Sequence, residues 1–438
     1  MPDEVVITGM GILSPIGCGE KPFWDSLCTG RSGAGLVEGL DTSELSRKVA
    51  CQVRDPITTE GWPRSSDLGE RASGEESDSP PLKRWATPVD RSMGRASQLA
   101  VAAAREAVTA AGLSFSRGAA PRVSIIVGTT MGETEFIEER LNAPAEEWLS
   151  ADHARKIVGA RPGCLARNVA ADLGLRDNDD RHGGAALGHA TQAVDLYGAC
   201  AAGNMAITAA RRQLLDGRCD VALAGGADGF SRLAFIGFMR LRVMAAEVCR
   251  PFDERRDGLL VGEGGVMFVL ERESSAKARG APVRARVLGA AVACENYHPT
   301  RPHPEGDGLG RATMEALRDA GLTPGDIDYV CAHGTGTPQN DAIEVAVMQH
   351  CFPHGVAFSS IKALTGHPMG AAAAMEAAAC ILSLEQQTLI PTWHLDKVLQ
   401  PCALDAVQGA VRRTRVRYVL NNSAGFGGYN SSIVLAAA

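Results

Sequence analysis

The sequence predicts a layered α/β protein with covered sheets. Two observations carry the prediction. Strand-like apolar runs alternate with Ala-rich helical stretches along most of the chain, and one helix-then-strand pattern occurs twice. In order, "VVITGMG" reads as a strand, "ASQLAVAAAREAVTAAGL" as a helix, "VSIIVGTTMG" as a strand, "MAITAARRQLLDG" as a helix, and "VALAGGADGF" and "VMFVLER" as strands. The second half repeats the style with "VRARVLGAAVA", "GRATMEALRDAGL", "IDYVCAHGTGT", "AAAAMEAAACILSL", "VRYVLNNSAGFGG" and "SSIVLAAA". The segment "AAREAVTAAGL" with the following "VSIIVGTTMG" resembles "MEALRDAGL" with the following "IDYVCAHGTG". The likeness predicts a duplicated fold with halves 1–271 and 272–438. Residues 60–81, rich in Ser, Glu, Pro and Gly and poor in apolar side chains, read as a flexible surface insertion.

Composition sets the bounds. A chain of 438 residues, 45% hydrophobic and 22% charged, can bury a large core and reads as soluble and globular. Asp3 and Glu4 stand where a secretory signal would be basic, and no apolar run approaches the roughly 20 residues of a membrane span. The expectation is a cytoplasmic protein that does not enter a membrane. The twelve cysteines include no C-x-x-C pair, which favours reduced thiols over disulfides and argues against zinc. A net charge of -7 argues against nucleic acid and leaves room for a local basic patch facing an acidic protein.

In "VDLYGACAAGNMAITAARRQLLDG" (194–217), Cys200 stands between an apolar run and a helix. Ile207, Ala210 and Leu214 fall at helical spacing, Arg211 and Arg212 lie late, and Gly217 is a stop. The start of a helix favours thiolate through its dipole and free N–H groups. Small neighbours such as Gly198, Ala199, Ala201, Ala202 and Gly203 would let a substrate come close. Taken alone, the thiol is either core filling or a nucleophile. His333 ends "IDYVCAH" and His367 lies in "SSIKALTGHPMG" before another small-residue helix. Each is either a hydrogen-bonded loop histidine or a catalyst. Neither has metal-ligand spacing to another histidine, and Gly-rich turns around both suggest loops converging on one site.

Six motifs then carry a resemblance over nearly the whole chain: "VVITGMGILSPIG", "GACAAG", "CRPFDERRDGLLVGEGG", "AHGTGTPQND", "KALTGHPMGAAAAME" and "NNSAGFGGYN". In this order they resemble the β-ketoacyl synthases, the condensing enzymes that elongate fatty acyl and polyketide chains on acyl carrier protein. The resemblance implies a thiolase-like five-layer αβαβα fold of two duplicated halves. It gives Cys200 the role of acyl acceptor, His333 and His367 that of enolate-stabilising donors, and Lys362 and Glu376 the orienting of the histidines. The oxyanion hole would be the N–H groups of Cys200 and Phe426, with Thr335 and Thr337 on the pantetheine arm and Thr300 and Phe426 also meeting substrate. For Lys362 and Glu376 a plain salt bridge, and for the threonines turn capping, is the other reading. Arg242, in "GFMRLRVM", would contact the carrier protein, with Lys83 and Arg84 as further candidates. No cofactor or metal is implied beyond the carrier's phosphopantetheine, and the partners would be acyl carrier protein and a second ketosynthase-like subunit, identical or related.

Some positions depart from the family pattern. Gly198 stands where Thr is usual, the stretch upstream of Cys200 is long, Ala424 and Tyr429 replace the common Phe and Thr, and Arg301 takes a place often held by a small hydroxyl residue. These changes point toward a polyketide-type synthase. A thiolase would need a second cysteine in the last Gly-rich loop, and a chain-initiating synthase would pair His with Asn. A silent chain-length-factor subunit would lack the nucleophile.

Overall fold

The computed structural model describes residues 3–54, 89, 93–115, 121–144, 146, 148, 150–175 and 191–438. The insertion 60–81, Lys83, Arg84 and most of the stretch upstream of Cys200 lie outside the described residues. Eleven strands form one line: β1 (Val5–Ser14), β2 (Val123–Thr129), β3 (Thr191–Tyr197), β4 (Val221–Asp228), β5 (Gly264–Arg272), β6 (Ala285–Cys294), β7 (Tyr329–Cys331), β8 (Ala357–Ser359), β9 (Asp405–Ala406), β10 (Tyr418–Gly425) and β11 (Tyr429–Ala437). Their spatial order is β3-β2-β4-β5-β1-β6-β11-β10-β7-β8-β9. Counting from β1 and again from β6, with β9 as an added edge, both sets run third-second-fourth-fifth-first. Among the described residues the two sets of strands join where Val5–Ile7 of β1 pair antiparallel with Ala285–Val287 of β6.

Within each set the second strand lies parallel to both neighbours, β3 and β4 in one and β8 and β10 in the other. Parallel strands must be covered on both faces, and so β2 is a continuous buried run, VSIIVGT. The helices supply the cover. Helix α1 (Arg95–Ala110) packs on β1, β5 and β4, and α3 (Asp307–Asp319) packs on β6, β11 and β10, with α4 (Pro338–Cys351) against α3. Helices α2 (Ala202–Leu215) and α5 (Ala372–Gln386) touch strands of both sets and each other, and therefore fill the middle layer. This is the thiolase-like five-layer arrangement.

The middle layer brings the site together. Every residue of α5 from Ala372 to Leu384 is buried, as a helix apolar on all sides must be. Its small side chains let α2 come very close: a Cβ on Gly203 would lie 2.6 Å from the Ala374 backbone nitrogen. The N-termini of α2 and α5 therefore meet, and Cys200 and His367 stand just before them.

Candidate active site

Strand β3 ends at Tyr197, and a short 3-10 turn, Ala199–Ala201, leads into α2. Ala199 takes left-handed backbone angles (φ 48), a strained conformation for an L residue, and Cys200 follows it. Ser423 donates its hydroxyl to the Cys200 carbonyl at 3.0 Å. A Cβ on Gly425 would stand 3.0 Å from the Cys200 nitrogen, so the last loop approaches backbone to backbone. The Phe426 backbone N–H acts on the Cys200 thiol in the direction that favours its charged form. Asn421 and Asn204 clasp each other, Asn421 Nδ2 to Asn204 Oδ1 at 3.0 Å, and Asn421 also donates to the Ala373 carbonyl of α5 at 2.9 Å.

His367 precedes α5 and is held by its backbone: its N–H donates to Leu260 O at 2.7 Å and its carbonyl accepts from Gly262 N at 2.9 Å. Its Nε2 lies 3.1 Å from Cys200 Sγ. His333 follows β7, and its ring centroid is 5.4 Å from that of His367, nearly perpendicular. Lys362 Nζ donates to the His333 carbonyl at 2.6 Å, lies 3.4 Å from His333 Nδ1, and pairs with Glu376 of α5. An ammonium facing Nδ1 makes that nitrogen the acceptor and leaves the proton on Nε2. The five side chains named from the sequence for catalysis are thus one contiguous buried cluster.

Burial decides the charges. It pushes both histidines well below their ordinary range, Lys362 adds to this, and both imidazoles are neutral. Burial also pushes the Cys200 thiol up to about 12, against the opposing pull of Lys362 and the Phe426 N–H. The pull toward thiolate expected at a helix start is outweighed here by desolvation: the resting form is the thiol, and His367 Nε2 is placed to take its proton. Burial raises Glu376 to about 7, with Lys362 pulling the other way.

The remaining candidates lie farther out. Thr335 is buried and Thr337 half-buried, and their hydroxyls bond each other at 2.9 Å. The Thr337 side chain does not cap α4, although its backbone occupies that position. Thr300 is half-buried in a loop whose Pro299 carbonyl accepts from Gly427 N at 2.7 Å, so it adjoins the Phe426 turn. Phe426 is half-buried with its ring 5.7 Å from Phe238. Arg242 is exposed just beyond the helix that carries Phe238, Arg232–Arg240, and has no ion-pair partner among the described residues.

Sequence reasoning missed the groups that shape the loops. Glu344 accepts from His333 N at 2.7 Å and Gly334 N at 2.8 Å, while Asp341 accepts from Thr335 N, Gly336 N and Phe252 N. Their three-residue spacing in "DAIE" at the start of α4 was the available signal, because it puts both carboxylates on one face.

A thiol at the head of one central helix and a histidine at the head of the other, on a doubled α/β sheet, define a thiolase-fold acyltransferase. Comparison narrows the class. The beta-ketoacyl synthase N-terminal domain matches residues 2–276 and the C-terminal domain residues 284–396, and the chain belongs to the beta-ketoacyl synthase family. It is 31% identical over 443 residues to 3-oxoacyl-[acyl-carrier-protein] synthase 2 of Staphylococcus aureus (strain COL), spanning 98% of this chain and 97% of that one. Among solved structures it is similar to the ishigamide ketosynthase/chain length factor, with TM-score 0.84, 34% identity and full coverage of both chains. It is similar as well to AntDE:AntF, a type II PKS acyl-carrier protein in complex with its ketosynthase bound to the hexaketide, with TM-score 0.82, 26% identity and full coverage of both.

Proposed function

We propose that this ketosynthase joins an acyl group on Cys200 to malonyl carried on acyl carrier protein. The observation that carries the reading is the 3.1 Å approach of His367 Nε2 to a buried Cys200 thiol, beside a second neutral histidine fixed by Lys362. His367 takes the thiol proton as sulfur attacks the thioester carbonyl of the acyl carrier, and the departing pantetheine sulfur takes that proton away. The malonyl carboxylate bond then breaks and releases carbon dioxide, and its electron pair forms an enolate at the thioester oxygen. His333 donates to that oxygen from its Nε2, and His367 does so once its Nε2 has taken a proton from solvent. The enolate carbon attacks the acyl-Cys200 carbonyl, whose oxyanion rests on the N–H groups of Cys200 and Phe426. Collapse expels the Cys200 thiolate, which takes the proton back from His367 Nε2, and the elongated β-ketoacyl chain leaves on the carrier. The reaction as written needs no further cofactor.

Thr335, Thr337 and Thr300 fit contacts to the pantetheine arm, and Arg242 a contact to the acidic carrier. The solved ketosynthase complex with its carrier supports that partner, and the ketosynthase/chain length factor structure supports pairing with a second ketosynthase-like subunit. Among the described residues no helix is long and apolar enough to cross a membrane, which fits the proposed cytoplasmic location. The repeated strand order supports halves 1–271 and 272–438. A silent chain-length-factor role is the second reading, and the intact thiol–histidine contact speaks against it. The test follows acyl and malonyl carrier proteins by intact mass. We predict acyl transfer to Cys200 and a chain two carbons longer, whereas Cys200→Gln stops condensation and still decarboxylates malonyl carrier. Condensation by the Gln variant, or no acyl-Cys200 in the parent, overturns the proposal.

A further inference from the structure

We infer that Asp228 is a positioning residue that ties the end of β2 to the loop carrying His367 and thereby fixes the distance between His367 and Cys200. Its carboxylate is completely buried at the end of β4 and has no cation partner among the described residues. Instead it accepts four hydrogen bonds, and they come from two different sets of strands and loops. Oδ1 takes the Thr129 hydroxyl at 2.6 Å and Met131 N–H at 2.9 Å. Oδ2 takes Thr130 N–H at 2.8 Å and Gly370 N–H at 2.7 Å. The first three donors belong to the last residue of β2 and the turn after it. The fourth lies three residues beyond His367, between Met369, which is left-handed (φ 46), and the start of α5.

The backbone bonds to Leu260 and Gly262 hold the loop at His367 itself, and Asp228 holds it at Gly370, on the side facing β2. A Cβ on Gly370 would fall 2.6 Å from the Thr129 backbone and 2.7 Å from Asp228 Oδ2, so the loop is seated directly on this carboxylate. An unneutralised anion so deep in a core costs free energy, and one so thoroughly hydrogen-bonded is a fixture that the chain retains. It also acts against the thiol, because the Asp228 charge raises the Cys200 pKa. Around Cys200 the charged and titratable groups are His367, His333, Lys362, Glu376 and Asp228. Asp228 therefore has two separable effects: it aligns the base and it makes the thiol a weaker acid.

The inference rests on Cys200 as the acyl acceptor and His367 as its proton acceptor, and the experiment separates the two. In Asp228→Asn the amide nitrogen replaces one acceptor oxygen, and the negative charge is gone. Two rates are read on each protein: acyl transfer from acyl carrier protein to Cys200, and alkylation of Cys200 by iodoacetamide against pH, located by peptide mass. We predict that acyl transfer falls on the order of 100-fold, as misplacement of a reacting pair by about 1 Å does. The alkylation profile moves to lower pH. Asp228→Glu restores the alkylation profile and leaves acyl transfer slow, because the longer side chain cannot keep all four bonds. Thr129→Val, which deletes one donor and keeps the charge, lowers acyl transfer less and leaves the profile in place. A role confined to stability leaves both the acyl-transfer rate and the alkylation profile of the folded protein in place, and unchanged acyl transfer in folded Asp228→Asn overturns the inference. Failure of the parent to form acyl-Cys200 instead overturns the functional reading beneath it.

Discussion

Lys362→Met removes a cation from the centre of the molecule while nearly keeping its volume. Lys362 and Glu376 are each 1% exposed, so the carboxylate left behind cannot be rescued by water. Breaking a buried pair by removing one partner costs about 3–5 kcal/mol when the other stays charged. Glu376 escapes part of that cost by binding a proton. In the parent, burial raises it from 4.5 to about 7. Its folded pKa therefore exceeds its unfolded one, the folded state holds a proton that the unfolded chain has lost between these values, and stability falls with rising pH across that window and levels above about 7. Lys362 is the influence that pulls Glu376 down. Without it the window extends upward, so the variant goes on losing stability at about 1.4 kcal/mol per pH unit where the parent has levelled. We predict that the difference in urea unfolding free energy between parent and Lys362→Met widens by about 1.4 kcal/mol from pH 7 to pH 8 and is smallest near pH 6. Malonyl decarboxylation falls on the order of 100-fold at every pH, because His333 loses the group facing Nδ1 and its Nε2 proton is no longer fixed. A stability difference constant from pH 6 to pH 8 would refute the account of Glu376, and undiminished decarboxylation would refute that of His333.

Two further outcomes follow from the same geometry. His333→Ala and His367→Ala each remove a donor worth about 3 kcal/mol to the enolate and slow malonyl decarboxylation accordingly. Acyl transfer to Cys200 survives the change at His333 better than that at His367, whose Nε2 touches the sulfur, and equal acylation rates for the two would count against the proton path. Arg242→Glu weakens carrier binding at low salt, and the difference shrinks as salt screens the contact. A carrier affinity that does not change at low salt, measured by titration calorimetry, removes Arg242 from the docking surface.

The sequence alone determined the alternation of strands and helices, the doubling of the chain and the chemical type of the site. These rest on short-range signals. Period and β-branched content mark β2 and β5, alanine spacing marks α1, α2 and α5, and six ordered motifs carry the Cys and His residues to the family they resemble. What the sequence could not give is whatever depends on distance between segments far apart in the chain. The thiol and His367 are 167 residues apart and meet because Gly203 lets α2 close on α5. The spacing of Asp341 and Glu344 puts two carboxylates on one helix face, but that they hold the backbone N–H groups of the His333 loop is decided by the packing of α4 against it. The protonation state of Cys200 is hidden from the sequence for the same reason. A helix start is visible in a sequence, but the desolvation that outweighs it is a property of the whole packed interior, and only the tertiary structure decides how much water each charge has lost.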